Sequence, residues 1–327
     1  MTEVRLMRVS SDDVGLRLDR WFGRYFPKVG YGALQKLLRT GQVRVDGRRA
    51  KPNYRLSDGE TIRIPPLDKV PSIRKPEWKE KRNNRTDSAL EQLLKNSILH
   101  MDEEVLAIYK PPGIPVQGGT GATKHIDGAL DALRFGLDQR PRLVHRLDKD
   151  TSGLLVVAKN EKFRLYFIDL LQSRRVQKNY RAIAVGTLRG NLEINKPIGR
   201  DKNNRTKMSC RDDGKEAITY VKCIESYGGY SLLDIQIETG RTHQIRTHLA
   251  YKKLPLVGDK TYNARNIIAK NTSDELKDFI RSFPRQALHA HKISFKLPNS
   301  EERVEFKSKL PKDLKELITV LERFNIS

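Results

Sequence analysis

Disulfide bonding has little to work with in this chain. Its 327 residues include two cysteines, Cys210 and Cys223, and no CxxC pair. That excludes a disulfide framework and suits a reducing, cytoplasmic setting. The opening MTEVRLMRVSSDD lacks the apolar h-region of a secretory signal. No apolar run approaches the roughly 18 residues that a membrane-spanning helix needs, so no membrane partner is expected. Neither GxGxxG nor GxxxxGK[ST] occurs, which leaves nucleotide-cofactor folds without support. The clustered carboxylates of a metal-dependent nuclease are missing as well. His243, His248, His289 and His291 could be combined with Cys210 or Cys223, but the spacings fit no usual zinc pattern. No metal and no cofactor are expected. Acid is also scarce: 63 Lys and Arg stand against 40 Asp and Glu, a net charge of +23. An excess of that size makes a polyanion, nucleic acid before others, the first partner class to consider.

The chain is long enough for a large domain and a small one. Residues 11–65 read as the small one. VGLRLDRWFGRYF places Leu16, Leu18, Trp21, Phe22 and Tyr25 near helical spacing. GALQKLLRTGQ predicts a second helix stopped by Gly41. VRVDGRRA predicts a tight strand reversal at Asp46-Gly47, and DGETIRIP a last strand. Basic residues, Arg39, Arg44 and Arg48 among them, are spread over these elements. The pattern resembles an S4 RNA-binding domain, which implies that these arginines contact structured RNA. Residues 66–96 are rich in proline and charge and read as a linker.

From residue 97 the texture changes to short strands joined by turns, with helices between groups. SLLDIQIETG alternates, with Leu233, Ile235 and Ile237 on one face. THQIRTHLAYKKL reads as a helix with Thr242 as its N-cap. PKDLKELITVLERF is amphipathic. The expected fold class is α+β, with a mostly antiparallel sheet in a domain over 97–327. DELKDFIRSF predicts a helix inside an insertion, residues 263–285, with no assignable role.

One stretch stands against the basic background. In LVHRLDKDTSGLLVVAKN, residues 143–160, Asp148 lies in a polar loop between two apolar runs. Flanking strands make a rigid mount for a presented side chain. A carboxylate held there stays ionised only beside a cation. Read alone, Asp148 could equally be a turn-capping residue.

The wider string resembles the RluA family of RNA pseudouridine synthases. HRLDKDTSGLLVVAK is similar to the family's signature, and further segments agree in order: YKPPGIPVQGG (109–119), KNYRA (178–182), ETGRTHQIRTHLA (238–250), LVGDKTY (256–262) and LHAHKISF (288–295). GGTGATKHIDGALDALR looks most like the RluC branch, whose members modify 23S ribosomal RNA. The resemblance implies that Asp148 is the catalytic carboxylate, acting as nucleophile or base. It implies that Tyr180 stacks on a flipped uracil, that Arg246 pairs with Asp148, and that Arg146 fills the place the base has left. His145, Lys110, Arg241, His243 and Gln244 would contact substrate or RNA, although Lys110 could equally fix its own loop. Tyr109, Pro112 and Gln117 stand where the family commonly has Asn, Ser and His.

The basic turn RDKNNRTKMSC, with Arg200, Lys202 and Arg205, is expected to contact phosphate. A catalytically silent RNA-binding or ribosome-assembly protein would share the charge and the S4-like head. The trio Asp148, Tyr180 and Arg246 separates the two, because such a binder has no use for a carboxylate near phosphates. No apolar stripe is left over for self-association, so a monomer is expected.

Overall fold

The computed structural model describes residues 3–10, 13–27, 29–67, 88–118, 124–137, 139–204, 206–298 and 302–325. The chain divides into two compact units, residues 1–84 and 85–327.

The small unit runs β1 (Arg5–Arg8), α1 (Leu18–Tyr25), α2 (Tyr31–Arg39), β2 (Arg44–Val45), β3 (Arg48–Arg49) and β4 (Thr61–Ile64). Its sheet has the order β1-β4-β2-β3. Leu18, Trp21 and Phe22 of α1 and Leu34, Leu37 and Leu38 of α2 fill the core against Val45, Ile62 and Ile64. The β2–β3 reversal falls at Asp46-Gly47, where both residues have positive φ, 47° and 73°, as a type I′ turn requires. Asp13, 1% exposed, anchors α1: Trp21 Nε1, Arg24 and Tyr25 Oη all donate to its carboxylate. The expected start at residue 11 left out β1, which pairs with β4 along its whole length. RLMR has no alternation of apolar and polar residues to announce a strand.

The large unit runs α3 (Ser88–Asn96), β5 (Ile98–Met101), β6 (Val105–Lys110), α4 (Ile126–Ala129), β7 (Arg142–Leu143), β8 (Ser152–Ala158), α5 (Glu161–Gln172), β9 (Gln177–Val185), β10 (Asn191–Asn195), β11 (Ile198–Arg200), β12 (Met208–Cys210), β13 (Ile218–Tyr227), β14 (Tyr230–Ile237), α6 (Gln244–Tyr251), α7 (Asp274–Ser282), β15 (Leu288–Lys296), β16 (Arg303–Lys307) and α8 (Lys312–Asn325). The main sheet has the order β10-β13-β14-β9-β15-β8-β6-β5, with β16 on β15 and β7 on β8. Among these pairings only β8–β15 is parallel, so the fold is α+β with a mostly antiparallel sheet. Strands β11 and β12 form a separate hairpin.

The expected linker is shortened by the structure. Residues 68–87 of it lie outside the described residues, but 88–96 form α3, with Leu90 and Leu94 buried in the main core. The i, i+4 spacing of these leucines was in the sequence; the charged stretch before them obscured it.

Strand β8 explains how the Asp148 loop is carried. Leu155 and Val157 face one core, while Leu154, Val156 and Ala158 face another with Phe163, Phe167 and Phe295. A strand buried on both faces gives the preceding loop a fixed base. At its start Gly153 has φ 117°, and a Cβ there would lie 2.2 Å from the carbonyl oxygen of Ala290. Glycine is required for β8 to run this close to β15.

Candidate active site

A cleft in the large unit is lined by residues 146–148 and Thr151 from the β7–β8 loop, Tyr180 from β9, Ile237 from β14, Leu288 from β15, and residues 240–246. The sequence-predicted residues Arg146, Asp148, Tyr180, Arg241, His243, Gln244 and Arg246 all line it.

Asp148 accepts from Arg246 Nη1 at 3.2 Å. The stronger contact of that guanidinium is elsewhere. Arg246 Nε and Nη2 donate to the two oxygens of Asp259 at 2.7 and 2.8 Å, a bidentate pair. Asp259 is 1% exposed, and its Oδ1 also accepts the amides of Thr261 and Tyr262 at 2.9 and 3.0 Å. Burial raises the Asp259 pKa, but Arg246 and these amides more than reverse it, leaving it below the ordinary carboxylate value. Burial likewise opposes the Arg246 charge, and Asp259 with Asp148 outweighs it, raising its pKa. Arg246 is therefore a fixed cation whose Nη1, not used by Asp259, donates to Asp148. The sequence reading missed Asp259, although LVGDKTY contains it; a carboxylate following Gly258 in that string was the available signal.

Tyr180 is 9% exposed. Burial first, and Asp148 second, push its phenol pKa up, so the hydroxyl keeps its proton. Arg146 is exposed at the rim. Arg241 is half-buried, and its Nε donates to the Glu216 carbonyl at 2.8 Å. His243 stands at the α6 N-cap in the left-handed conformation, φ 54° and ψ 23°; the cap is not Thr242 as expected. Its Nε2 lies 4.0 Å from Asp148 Oδ2.

Three expected RNA contacts are spent inside the protein. Lys110 is 0% exposed. Its Nζ donates to the carbonyls of Pro111, Ile114 and Lys149 at 2.8, 3.0 and 2.7 Å. Those three acceptors use every ammonium donor, so the loop-fixing alternative is the one realised. Burial lowers its pKa to about 7. The ring of His145 turns inward against Phe167, and its Nε2 accepts the Val156 amide at 2.9 Å. Burial first, then Lys178, lowers its pKa to about 3, so His145 is neutral and not a cationic RNA contact. Gln244, 3% exposed, accepts from Thr239 Oγ1 and Arg241 N and donates to Ile218 O and Thr219 Oγ1. Its four hydrogen bonds staple the loop before α6 to β13.

The loop after Asp148 has further supports. Arg285 makes a bidentate pair with Asp313 of α8, at 2.7 and 3.0 Å. Its Nη1 donates to the Asp150 carbonyl at 3.1 Å. Gln286 Nε2 donates to Thr151 Oγ1 at 3.2 Å. The region 263–285, unassigned in the sequence, thus ends in a residue that holds the Asp148 loop.

Arg39, Arg44 and Arg48 belong to the small unit and are exposed. Arg44 Nε donates to Gly41 O at 3.0 Å. Arg205 lies outside the described residues. Among the described residues no group of three or more His, Cys, Asp or Glu could hold a metal ion, and no helix is long and apolar enough to cross a membrane.

The family model described as RNA pseudouridylate synthase matches residues 104–251, and the S4 domain model matches 32–62. The chain is 34% identical over 326 residues to the ribosomal large subunit pseudouridine synthase D of Xanthomonas campestris pv. campestris, covering 98% of this chain and 93% of that protein. It is 36% identical over 317 residues to the protein of that name from Vibrio cholerae, covering 96% and 93%. These relatives carry the D name, so the expected RluC branch finds no support in them. Among solved structures, human RNA pseudouridylate synthase domain containing 4 superposes with a TM-score of 0.60 at 26% identity, covering 72% of this chain and 96% of that one. With near-complete coverage of those relatives, with both family models matched, and with its motifs gathered around one cleft, the chain belongs to the RNA pseudouridylate synthase family and carries an S4 domain.

Proposed function

We propose that this chain isomerises specific uridines of large-subunit ribosomal RNA, 23S RNA, to pseudouridine, with Asp148 as the ionised catalytic group. The observation that carries the reading is the placement of Asp148: a carboxylate in an open cleft, 3.2 Å from a guanidinium that is itself fixed by a buried carboxylate. In this reaction the N1–C1′ bond breaks, the base rotates, and a C5–C1′ bond forms. The proton leaving C5 is balanced by one gained at N1. No atom is added and no electron is transferred, so the chemistry needs neither a metal nor a small-molecule cofactor.

In this reading Asp148 works as nucleophile or base at the sugar or the base. Extruding a uridine from a stack costs a few kcal/mol. Tyr180 returns about 1–3 kcal/mol by stacking on the ring, and Arg146, exposed at the rim, occupies the vacated space. The small unit, with Arg39, Arg44 and Arg48, holds structured RNA. The chain acts as a monomer.

The test is pseudouridine mapping of ribosomal RNA from cells with the wild-type protein, without it, and with Asp148→Asn. Sites that disappear without the protein and do not return with the variant support the reading. Unchanged sites in every RNA class would leave a silent RNA-binding protein as the alternative.

A further inference from the structure

His243 has no role in the reaction as described, yet it faces the acid. Three observations bear on it. Its backbone is left-handed, φ 54° and ψ 23°, a region in which a non-glycine residue is uncommon and often functional. Its Nδ1 is 2.9 Å from Tyr262 Oη, and the two rings meet edge to face at 87°. Its Nε2 is 4.0 Å from Asp148 Oδ2.

The partners favour one placement of the ring proton. The Met208 amide donates to Tyr262 Oη at 2.9 Å, and an amide N–H can only donate. That fills one acceptor position of the phenol oxygen and leaves its own proton free to go to the imidazole Nδ1. Burial pushes the Tyr262 phenol pKa up, so the proton is present to be given. A neutral imidazole that accepts at Nδ1 carries its proton at Nε2. The carboxylate favours the same tautomer, because the alternative turns an Nε2 lone pair toward Asp148. The Arg246 guanidinium lies over the Tyr262 ring, 5.1 Å from its centroid, so both arms reaching Asp148 Oδ2 rest on Tyr262.

We infer that Tyr262 and His243 form a positioning pair for the acid: Tyr262 fixes the Nε2–H form of His243, and that N–H holds the Asp148 oxygen already bound by Arg246. Oδ1 is then left for the substrate. The separation of 4.0 Å is about 1 Å beyond a hydrogen bond, so closure on the RNA, or one bridging water, completes it. Met208 belongs to the β11–β12 hairpin, whose turn carries Lys202, so this arm also ties the acid to the basic hairpin. The inference rests on the reading that Asp148 is catalytic.

The test compares His243→Asn, His243→Gln and Tyr262→Phe with wild type and Asp148→Asn, in single-turnover rate and in RNA affinity. Asparagine tolerates the left-handed backbone and places an amide near Nδ1 but nothing at Nε2. Glutamine reaches the Nε2 position. The expected result is a rate lowered about tenfold or more in His243→Asn, equivalent to about 1.4 kcal/mol, with RNA affinity unchanged and the rate partly restored in His243→Gln. Tyr262→Phe should slow the reaction and shift the His243 ¹⁵N resonances from the Nε2–H pattern toward a mixture. Should His243→Asn not fold, Tyr262→Phe, which removes one oxygen, carries the test. A wild-type rate in His243→Asn, or an Nδ1–H tautomer in the wild type, overturns the inference. If Asp148→Asn is inactive while the His243 and Tyr262 variants are unimpaired, this inference alone falls. If Asp148→Asn is active, the catalytic reading falls with it.

Discussion

In the cleft, Arg246 faces two carboxylates, Asp259 and Asp148; in the small unit, Arg44 faces two other arginines, Arg49 on β3 and Arg63 on β4. The cleft spends its charge internally, on a buried bidentate pair that fixes one guanidinium and aims its Nη1 at Asp148. The small sheet lines up like charges across neighbouring strands, an arrangement that costs roughly 0.2–1 kcal/mol per pair. The guanidiniums of Arg44 and Arg63 lean on the carbonyls of Gly41 and Gln42, which accept hydrogen bonds without neutralising charge. A row of this kind suits an external polyanion, whereas the cleft arginine is taken up by two carboxylates of its own unit. Net charge alone would not have told these two uses apart.

The two uses of arginine should separate most at Asp259. Asp259→Asn removes the charge that holds Arg246, and breaking a buried pair from one side costs about 3–5 kcal/mol. Urea denaturation should show that loss, and single-turnover activity should fall with it; a variant as stable and active as wild type would mean that Arg246 needs no internal anchor. Lys110→Met comes next. Three carbonyls lose their donor, for a destabilisation of about 1–3 kcal/mol, and the rate falls as the Asp148 loop loosens. RNA affinity and its salt slope should stay as they are, and a shallower slope would make Lys110 a phosphate contact after all. The smallest change in stability is expected in the small unit. Arg44→Gln with Arg63→Gln should leave the fold unchanged or firmer by about 0.2–1 kcal/mol. The salt dependence of RNA binding should flatten by about 0.7–0.9 for each phosphate no longer neutralised, with the rate at saturating RNA unaltered. If stability drops instead and the slope holds, the row is structural.

Most strands and helices were legible because their signals are local. The Asp46-Gly47 turn, the alternation of β14 and the apolar faces of α1, α2 and α8 all sit where the sequence places them. Strand β1 and helix α3 were missed, one for lack of a periodic pattern and the other under a charged neighbourhood. Motif order brought Asp148, Tyr180, Arg246 and Arg146 to one cleft. It did not distinguish residues that face the cleft from those that build it. Lys110, His145 and Gln244 look like RNA ligands by residue type, but each is satisfied by groups of its own unit. Which carbonyl lies within reach of a lysine depends on residues far along the chain, and no window around Lys110 shows Lys149. The pairings of Arg246 with Asp259 and of Arg285 with Asp150 were hidden for the same reason.

The supports of residues 149–151 come from distant parts of the chain: Lys110 lies 39 residues from Lys149, and Arg285 and Gln286 each lie 135 residues from their partners. Closing such loops carries an entropic cost that grows with their length and delays their formation during folding. The loop after Asp148 is therefore fixed late, once the segment from Lys110 to Asp313 has come together. A fragment ending before Arg285 keeps Asp148, Tyr180 and Arg246 but lacks two supports of the loop that follows Asp148. Synthesis from the N-terminus completes the small basic unit first, and the contacts of Arg285 and Gln286 to residues 150 and 151 form only after about 200 further residues have been made.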